Sequence, residues 1–356
     1  MLESCTFFRF LGKPISCEPY GSGHINRTYL VKTDAGLDYI MQKINKRVFR
    51  DVPGLMANIH AVTSHLRKKE PEPRRVLTLI KTHEGGVFHR DHEGGFWRVY
   101  DFITDSLCLD KPETLEDFRQ SAVAFGNFQN MLADFPADTL SETIPRFHDT
   151  PDRYAKLHAA IKADSVSRLH KVRPEIDFAL AREEEAGLMM AMLRRGELPL
   201  RVTHNDTKLN NVMLDKDTRE ALCVIDLDTV MPGLAANDFG DSIRFGASTA
   251  AEDERDLDLV RFSLPAYEAY TQGFLEACGK RLTENEISTL PMGAKLMTLE
   301  CGIRFLTDYL SGDVYFATHR PGHNLDRCRT QFKLVADMEA QWDEMAKVVE
   351  KCRKLY

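Results

Sequence analysis

The sequence changes its periodicity near residue 103, and this change limits the folds that the chain can adopt. Before it, residues 27–32 and 39–44 are rich in β-branched and aromatic side chains, and the turn-forming residues 34–36 predict a hairpin. A helix is predicted next at residues 52–69, and further strands at residues 76–80 and 95–103. The first hundred residues are therefore expected to form a small, sheet-based unit.

Long helices are predicted in the rest of the chain. Thr114 is followed three residues later by Asp117, which resembles a capping box at a helix start. Apolar side chains then recur at helical spacing, as in a helix with one buried face: Phe118, Ala122, Phe125, Phe128 and Leu132. Similar patterns predict helices at about residues 175–195, 257–277, 294–310 and 328–352.

A chain of 356 residues is long enough for about two structural units. We therefore predict an α+β fold with a small β-rich N-terminal lobe (1–103) and a larger, mainly helical C-terminal lobe (104–356).

Composition argues against several classes of protein. The 47 basic and 54 acidic residues give a net charge of −7, whereas non-specific nucleic-acid binders usually carry a basic excess. The eight cysteines include no CxxC pair, which favours reduced thiols and a cytoplasmic location. No run approaches the roughly 18 apolar residues of a membrane span, and the N-terminus lacks a signal-peptide pattern. We expect a cytoplasmic protein with no nucleic-acid, membrane or obligate protein partner.

The most informative segment surrounds a polar turn centred near residue 218. Strands are predicted on both sides of this turn, at residues 211–215 and 221–226. Antiparallel pairing about the turn would place Asn211 opposite Asp226. Asp206 lies just upstream, in the loop that leads into the first strand. One carboxamide and two carboxylates are therefore expected to converge at one end of a hairpin.

This set of side chains suits magnesium-dependent phosphoryl transfer. Mg²⁺ prefers a few hard oxygen ligands completed by water and phosphate, and Asn211 and Asp226 can supply them. A third carboxylate held off the metal can accept the proton of an attacking hydroxyl, and Asp206 is the candidate. Taken one at a time, these residues could instead be loop caps and hairpin ends.

The residues around this hairpin resemble a known family. The run HND at residues 204–206, followed by Asn211 and Asp226, resembles the catalytic loop and metal-binding Asp of protein-kinase-like phosphotransferases. Asn205 in place of Arg, and DLD at residues 226–228 in place of DFG, resemble the aminoglycoside and choline phosphotransferase branch. The longer strings HNDTKLNN, VIDLDTVMPG and DFGDSIRFGAST are similar to bacterial N-acetylhexosamine 1-kinases.

The resemblance implies a bilobal protein-kinase-like fold and a defined reaction. The N-terminal lobe (1–103) would bind nucleotide, and the C-terminal lobe (104–356) would carry the catalytic and sugar-binding residues. The γ-phosphate of ATP would pass to the anomeric hydroxyl of N-acetylglucosamine or N-acetylgalactosamine. The implied cofactors are ATP and Mg²⁺, and the implied partners are ATP and a small-molecule sugar. Asp206 would be the catalytic residue that also faces the sugar, and Asn211 and Asp226 would bind the metal.

A glycine-containing segment precedes the first predicted hairpin. It suits a lid whose backbone N–H groups approach nucleotide phosphates, although an ordinary Gly-rich hairpin is the alternative. The expected nucleotide-binding residues are Gly21, Ser22, Gly23 and His24. Related folds bind adenine through the linker strand, here between Asp101 and Ile103. By alignment, Gln42 takes the place of the strand Lys of kinase-like folds, with Lys43 on the opposite face, so a neutral side chain or another cation would serve the phosphates.

The resemblance also implies a sugar pocket in the C-terminal lobe, formed by Phe245, Arg304 and Tyr315. An aromatic face packs on the C–H face of a sugar ring, and Arg donates hydrogen bonds to hydroxyl or acetamido oxygens. Surface salt bridges and core packing are the alternative roles.

Two other functions stay open. The acceptor could be an aminoglycoside, choline, another amino alcohol or a plain hexose, and the acidic cluster at residues 252–254 could attract a cation, although a solvated helix start explains it too. A non-catalytic pseudokinase would have lost Asp206, Asn211 or Asp226, and all three are present.

Four neighbouring polar residues are expected to support the site. His204 is interpreted as a residue that holds the catalytic loop. Asp228 either lies near a second metal or the substrate, or caps the following turn. Asp238 and Asp241 are expected to order the loop around the site.

Overall fold

The computed structural model of the protein describes residues 2–21 and 25–356. Its first part is a five-stranded antiparallel sheet in the spatial order β1-β2-β3-β5-β4. A short helix, α1 (Leu2–Cys5), precedes the five strands, which are β1 (Pro14–Pro19), β2 (Arg27–Thr33), β3 (Asp38–Ile44), β4 (His89–Arg90) and β5 (Phe96–Asp101). The antiparallel pairing of β2 with β3 confirms the predicted hairpin. Both strands carry the alternating apolar pattern of a half-buried sheet.

One helix packs against this sheet and matches the predicted bounds. It is α2 (Val52–Lys69), which begins where the Asp51 side chain accepts a hydrogen bond from the Gly54 N–H group at 3.0 Å. Pro53 lies in its first turn, where a missing N–H group costs nothing. One face of the helix is buried, through Leu55, Ile59, Val62 and Leu66.

The strand predicted at residues 76–80 is wrong. This segment makes only an isolated bridge, from Leu79 to Tyr100. The reason is competition for one edge of the sheet, because β4 already pairs with the first half of β5. Only the second half of β5 is left, where the Ile80 N–H group donates to the Val99 carbonyl at 2.9 Å.

The second part of the chain is mainly helical, so the predicted α+β fold class is confirmed. Its helices are α3 (Leu115–Met131), α4 (Thr150–Ala163), α5 (Arg173–Leu180), α6 (Glu183–Ala186), α7 (Leu188–Arg194), α8 (Ala235–Gly246), α9 (Leu264–Cys278), α10 (Glu284–Ser288), α11 (Leu290–Ser311), α12 (His323–Ala340) and α13 (Trp342–Arg353). Five short strands accompany them: β6 (Ser106–Cys108), β7 (Arg201–Thr203), β8 (Val212–Asp215), β9 (Ala221–Val224) and β10 (Met231–Gly233). β6 pairs with β8 and not with the N-terminal sheet.

Several helix predictions need correction in their bounds. The segment 175–195 is three helices with breaks at residues 181–182 and at Gly187, and 328–352 is two helices separated at Gln341. The helix predicted from residue 257 begins only at Leu264, because Ser263 caps it there. The capping box of Thr114 and Asp117 is confirmed.

Helix α8 has no counterpart among the predicted helices. All ten of its residues from 235 to 244 are buried, and its sequence includes Asn237, Gly240 and Gly246, which have low helix propensity. The structure places α8 in the core of the C-terminal part, where it crosses α11. None of the helices in the described part of the chain is both long and apolar enough to span a membrane.

Glycine lets α8 and α11 approach each other closely. A Cβ atom on Gly293 would lie 2.1 Å from the carbonyl oxygen of Ala236, so the backbones would have to separate. We expect Gly293→Ala to lower the free energy of unfolding by about 1–3 kcal/mol. Gly279→Ala is the control, since its Cβ atom would lie 3.5 Å from the nearest atom of Leu275. Urea unfolding of both variants measures the difference, and equal stabilities would show that the crossing tolerates a methyl group.

Candidate active site

The loop that carries Asp206 is held from one side by two buried carboxylates of α8. Asp238 accepts hydrogen bonds from the N–H groups of His204 (2.9 Å) and Asn205 (2.8 Å). Asp241 accepts one from the N–H group of Thr207 at 2.9 Å. Charge-assisted bonds of this kind are strong, and both carboxylates are almost inaccessible to solvent. Asp238 and Asp241 therefore order the loop, as expected.

His204 is a structural residue of this loop. Its ring is fully buried against the rings of Phe125 and Phe128. Its Nδ1 atom accepts from the Asp206 N–H group at 3.3 Å, so Nε2 carries the proton and donates to the carbonyl oxygen of Ile225 at 2.9 Å. The imidazole thus joins the loop to the residue that precedes Asp226.

Two non-glycine residues of the site adopt left-handed backbone conformations. Asn205 has φ 64° and Asp226 has φ 58°. Asn205 is held there by its side chain, whose Nδ2 atom donates to the Thr229 carbonyl at 2.9 Å. Such conformations cost free energy and persist where surrounding contacts impose them, often at functional sites.

The register of the hairpin differs from the predicted one by one residue. Val212 pairs with Val224, and the Ile225 N–H group donates to the Asn211 carbonyl at 2.9 Å. Leu214 pairs with Ala221 beside the turn, and a register shift between Met213 and Leu214 then brings Val212 opposite Val224. Asn211 therefore stands next to Ile225 in the ladder, and Asp226 begins the turn that follows.

Asp206, Lys208 and Asn211 form a connected polar group. The Asn211 Nδ2 atom donates to the Asp206 carbonyl (2.8 Å) and to its carboxylate (3.2 Å). The Lys208 ammonium lies 3.3 Å from the Asp206 carboxylate. Burial would lower the pKa of Lys208, but the charges of Asp206, Asp241 and Asp226 outweigh it and the pKa is raised. Lys208 therefore stays charged beside Asp206.

Asp226 faces excess negative charge. Its side chain is open to solvent although protein surrounds it on most sides, which describes a residue in a cleft. Partial burial and the charges of Asp228 and Asp206 raise its pKa to about 6.

The donor set at this cleft suits a hard cation. Asn211 uses its Nδ2 atom for hydrogen bonds, and its Oδ1 atom accepts none from the described residues. One amide oxygen and one carboxylate are few ligands, which is typical of Mg²⁺ bound together with phosphates. Within residues 2–21 and 25–356 no group of three or more His, Cys, Asp and Glu side chains is arranged to hold a metal.

Both carboxylate oxygens of Asp228 are bound by side chains of the N-terminal sheet region, which the sequence did not predict. One of its carboxylate oxygens accepts a hydrogen bond from Arg98, and the other accepts from the Asn26 Nδ2 atom at 2.6 Å. Both partners lie in the N-terminal sheet region. Gln42 contacts Arg98 on the same face of the sheet, whereas Lys43 lies on the opposite face near Asp91, as expected from strand alternation.

The expected nucleotide-binding residues are only partly described. Gly21 has φ +76° and open space around its Cα atom, a conformation that favours glycine. Ser22, Gly23 and His24 lie outside the described residues. The ring of Tyr20, which precedes Gly21, contacts the ring of Phe102 edge-on at 6.1 Å. The residue that precedes the glycine-containing segment therefore contacts the linker at Phe102.

The linker has a free hydrogen-bond donor at the expected place. Asp101 ends β5, and its N–H group donates to the Thr78 carbonyl at 3.0 Å. The Ile103 carbonyl accepts from the Ser106 hydroxyl at 2.7 Å. The Ile103 N–H group has no partner among the described residues, so it can bind a ligand.

Arg304 and Tyr315 are brought together, whereas Phe245 lies on a different helix. The Arg304 guanidinium lies over the rings of Phe147 (5.3 Å) and Phe316 (5.4 Å), and the ring of Tyr315 contacts Phe316 edge-on at 4.7 Å. Tyr315 is 67% exposed. Phe245 lies half-buried near the end of α8, a neighbour of the helix that carries Arg304.

Two further residues connect Arg304 to the catalytic loop. His148 is 3.3 Å from the Asn205 carbonyl through Nε2 and 3.0 Å from the buried Glu300 carboxylate through Nδ1. The Arg153 guanidinium lies 3.9 Å from Glu300. Burial and the neighbouring charge of Arg304 lower the pKa of Arg153. Arg304 therefore lies close to the loop that carries Asp206.

Sequence reasoning missed four of these residues. Lys208 follows Asp206 by two positions within HNDTKLNN, and Arg98 is a single charge in an otherwise apolar strand, so both carried a local signal. His148 and Arg153 carried none, because only tertiary contacts with Glu300 of α11 bring them to the site.

Solved structures with this fold include several small-molecule kinases. An aminoglycoside phosphotransferase from Alicyclobacillus acidocaldarius superposes with a TM-score of 0.65 at 12% identity, covering 99% of this chain and 96% of that one. An amicoumacin kinase bound to AMP-PNP, Ca²⁺ and its antibiotic gives 0.62 at 13%, covering 98% and 91%. A choline kinase from Cryptosporidium parvum gives 0.58 at 13%, covering 94% and 92%. At these identities the likeness establishes the fold.

The sequence itself matches a family model. The match to APH, the phosphotransferase enzyme family, extends over residues 16–272 and includes Asp206, Asn211 and Asp226. Arg304 and Tyr315 lie beyond it. Because the match covers well over half of the chain, this protein belongs to the phosphotransferase enzyme family.

Proposed function

We propose that this protein is an ATP- and Mg²⁺-dependent kinase that phosphorylates the anomeric hydroxyl of an N-acetylhexosamine. The observation that carries the kinase assignment is the connected group of Asp206, Lys208 and Asn211 beside Asp226. The phosphoryl donor is supported by the AMP-PNP bound in the amicoumacin kinase of the same fold.

Each residue of this group has a role in the proposed reaction. Asp206 orients the sugar hydroxyl and accepts its proton. Asn211 and Asp226 would hold Mg²⁺, which neutralises charge on the transferred phosphoryl group. Lys208, held 3.3 Å from Asp206, adds a positive charge on the acceptor side of the site. Gly21 to His24 would cover the phosphates, and Asp101 and Ile103 would offer backbone groups to adenine.

The charge of the proposed acceptor pocket favours a neutral sugar over a cationic amino alcohol or aminoglycoside. Arg153 and Arg304 lie close enough for each charge to affect the other, and the Glu300 carboxylate interacts with both. A cationic acceptor beside this pair would meet like charge, which costs several kcal/mol in a desolvated interface.

Two of the three carboxylates in the acidic cluster that would have favoured a cationic acceptor are already paired with arginine. Residues 252–254 form a turn and not a helix start. Glu252 is paired with Arg244 at 2.8 Å, and Asp253 with Arg320 at 3.3 Å. The pocket therefore presents arginine and aromatic rings to its ligand, which suits hydroxyl and acetamido oxygens and the C–H face of a sugar.

Arg304→Ala is expected to raise the KM for N-acetylglucosamine by roughly 10–100-fold, because it removes hydrogen bonds from a charged donor. The KM for ATP is expected to stay within about twofold, since the change lies on the acceptor side. Steady-state kinetics with each substrate varied in turn measure both values. Arg329→Ala, on α12 and paired with Glu175, is the control. Equal increases in both KM values would show that Arg304 stabilises the fold and does not bind the sugar.

The acceptor assignment is tested by a coupled ADP-release assay. The panel contains N-acetylglucosamine, N-acetylgalactosamine, glucose, galactose, choline, ethanolamine and an aminoglycoside. Phosphorus NMR of the product distinguishes a 1-phosphate from a 6-phosphate by its coupling to the anomeric proton. A 6-phosphate, or turnover of choline or the aminoglycoside without turnover of any N-acetylhexosamine, would overturn the acceptor and leave the kinase assignment standing.

A further inference from the structure

A single buried arginine joins the N-terminal sheet to the turn that follows Asp226. Arg98 projects from β5, and its side chain is 1% exposed. Its Nη1 atom donates to one carboxylate oxygen of Asp228, and its Nε and Nη2 atoms donate to the Gln42 side-chain carbonyl at 2.9 and 2.8 Å. Gln42 and Arg98 are direct cross-strand partners. The guanidinium is therefore fixed by two strands and reaches into the other part of the molecule.

The second oxygen of Asp228 is bound by the same sheet region. The Asn26 Nδ2 atom donates to it at 2.6 Å, and the Asn26 Oδ1 atom accepts from the Asn45 N–H group at 3.0 Å. Asn26 lies three residues after Gly23, at the end of the glycine-containing segment, and Asp228 lies two residues after Asp226. The network therefore connects that segment to the turn that carries Asp226.

The helix that packs on the sheet reinforces this connection through a neutral side chain. Asn58 of α2 is buried, and its Nδ2 atom donates to the Val230 carbonyl at 3.0 Å. Gln42 occupies the strand position where kinase-like folds carry Lys, and it is neutral. The positive charge lies on the neighbouring strand instead, at Arg98, and the carboxylate partner of Arg98 lies in the C-terminal part of the chain.

We infer that Arg98 is a positioning residue for the proposed nucleotide-phosphate site. Through Asp228 it fixes the turn that carries Asp226, and through Asn26 it fixes the end of the glycine-containing segment. Because Arg98 is buried and both oxygens of Asp228 are occupied, neither side chain is free to bind the nucleotide itself. The inference rests on the proposed function, since it gives Asp226 the role of a metal ligand.

The test compares nucleotide binding with and without Mg²⁺. Arg98→Met alone leaves a buried carboxylate unpaired, so the main variant is Arg98→Met/Asp228→Leu, which removes both charges. We expect this variant to fold and its Kd for AMP-PNP with Mg²⁺ to rise roughly 10–100-fold, as for other residues that orient metal ligands. The Kd for AMP-PNP in EDTA should change by less than about threefold. Calorimetric titration measures both Kd values, and thermal unfolding shows whether the variant folds. Arg90→Met, on an exposed strand of the same sheet, is the control.

A milder variant keeps the test decisive if the double variant fails to fold. Gln42→Leu removes one acceptor from the guanidinium without leaving a charge unpaired, and it should raise the Kd for Mg²⁺·AMP-PNP roughly 3–10-fold. In both variants the KM for ATP should rise while the KM for the sugar stays unchanged, which general loss of stability would not produce. The inference is overturned if the folded double variant binds Mg²⁺·AMP-PNP as tightly as the wild-type protein does. If the double variant unfolds, wild-type binding by Gln42→Leu overturns it. Absence of AMP-PNP binding by the wild-type protein instead overturns the proposed function.

Discussion

Asp206→Asn is expected to lower kcat by roughly 10²–10⁴-fold, which is the usual contribution of a positioned general base. The substitution keeps the shape of the side chain and its contact with Asn211, but removes the charge that orients the acceptor hydroxyl and accepts its proton. Nucleotide binding should be nearly unchanged, because Asp206 lies on the acceptor side of the site and is paired with Lys208.

The measurement is a single-turnover assay combined with titration of Mg²⁺·AMP-PNP. Asp215→Asn is the matched control, since Asp215 ends the same hairpin and is paired with Arg74 at 3.0 Å, away from the loop. A kcat for Asp206→Asn within about threefold of the wild-type value would remove Asp206 from the proposed mechanism.

Asp226→Ala is expected to abolish Mg²⁺-dependent nucleotide binding and turnover together. A metal ion supplies several kcal/mol of charge stabilisation in such reactions, so the loss should be on the order of 10³-fold in kcat/KM for ATP. Asn211→Ala should cause a smaller loss, because a neutral oxygen ligand interacts less strongly with Mg²⁺ than a carboxylate does.

Titration of AMP-PNP at increasing Mg²⁺ concentrations distinguishes the two variants. For Asn211→Ala, excess Mg²⁺ should restore part of the binding, whereas for Asp226→Ala it should restore little. Melting temperatures near the wild-type value would exclude unfolding as the cause, since the Asp226 side chain does not cap the turn that it begins. If Asp226→Ala bound Mg²⁺·AMP-PNP like the wild type, the metal site would lie elsewhere.

The sequence by itself determined the elements whose signals are local. The β2–β3 hairpin, the helix at 52–69 and the capping box at Thr114 each depend on residues close together in the chain, so pattern and propensity predict them. Asp206, Asn211 and Asp226 also lie within one short segment, so their spacing is enough to predict that they share a site. The same spacing also indicated a phosphotransferase, and the match over residues 16–272 established the family.

Tertiary structure alone decided the features that depend on contacts between distant segments. The sequence does not show that β4 would occupy the sheet edge needed by residues 76–80, or that Arg98 would pair with Asp228, 130 residues away. Helix α8 was not predicted because Asn237, Gly240 and Gly246 have low helix propensity, and packing on all sides stabilises it. Its Asp238 and Asp241 hold the loop that carries Asp206. Buried charges and fully buried helices are stabilised by the residues that pack around them, and those residues come together only in the folded chain.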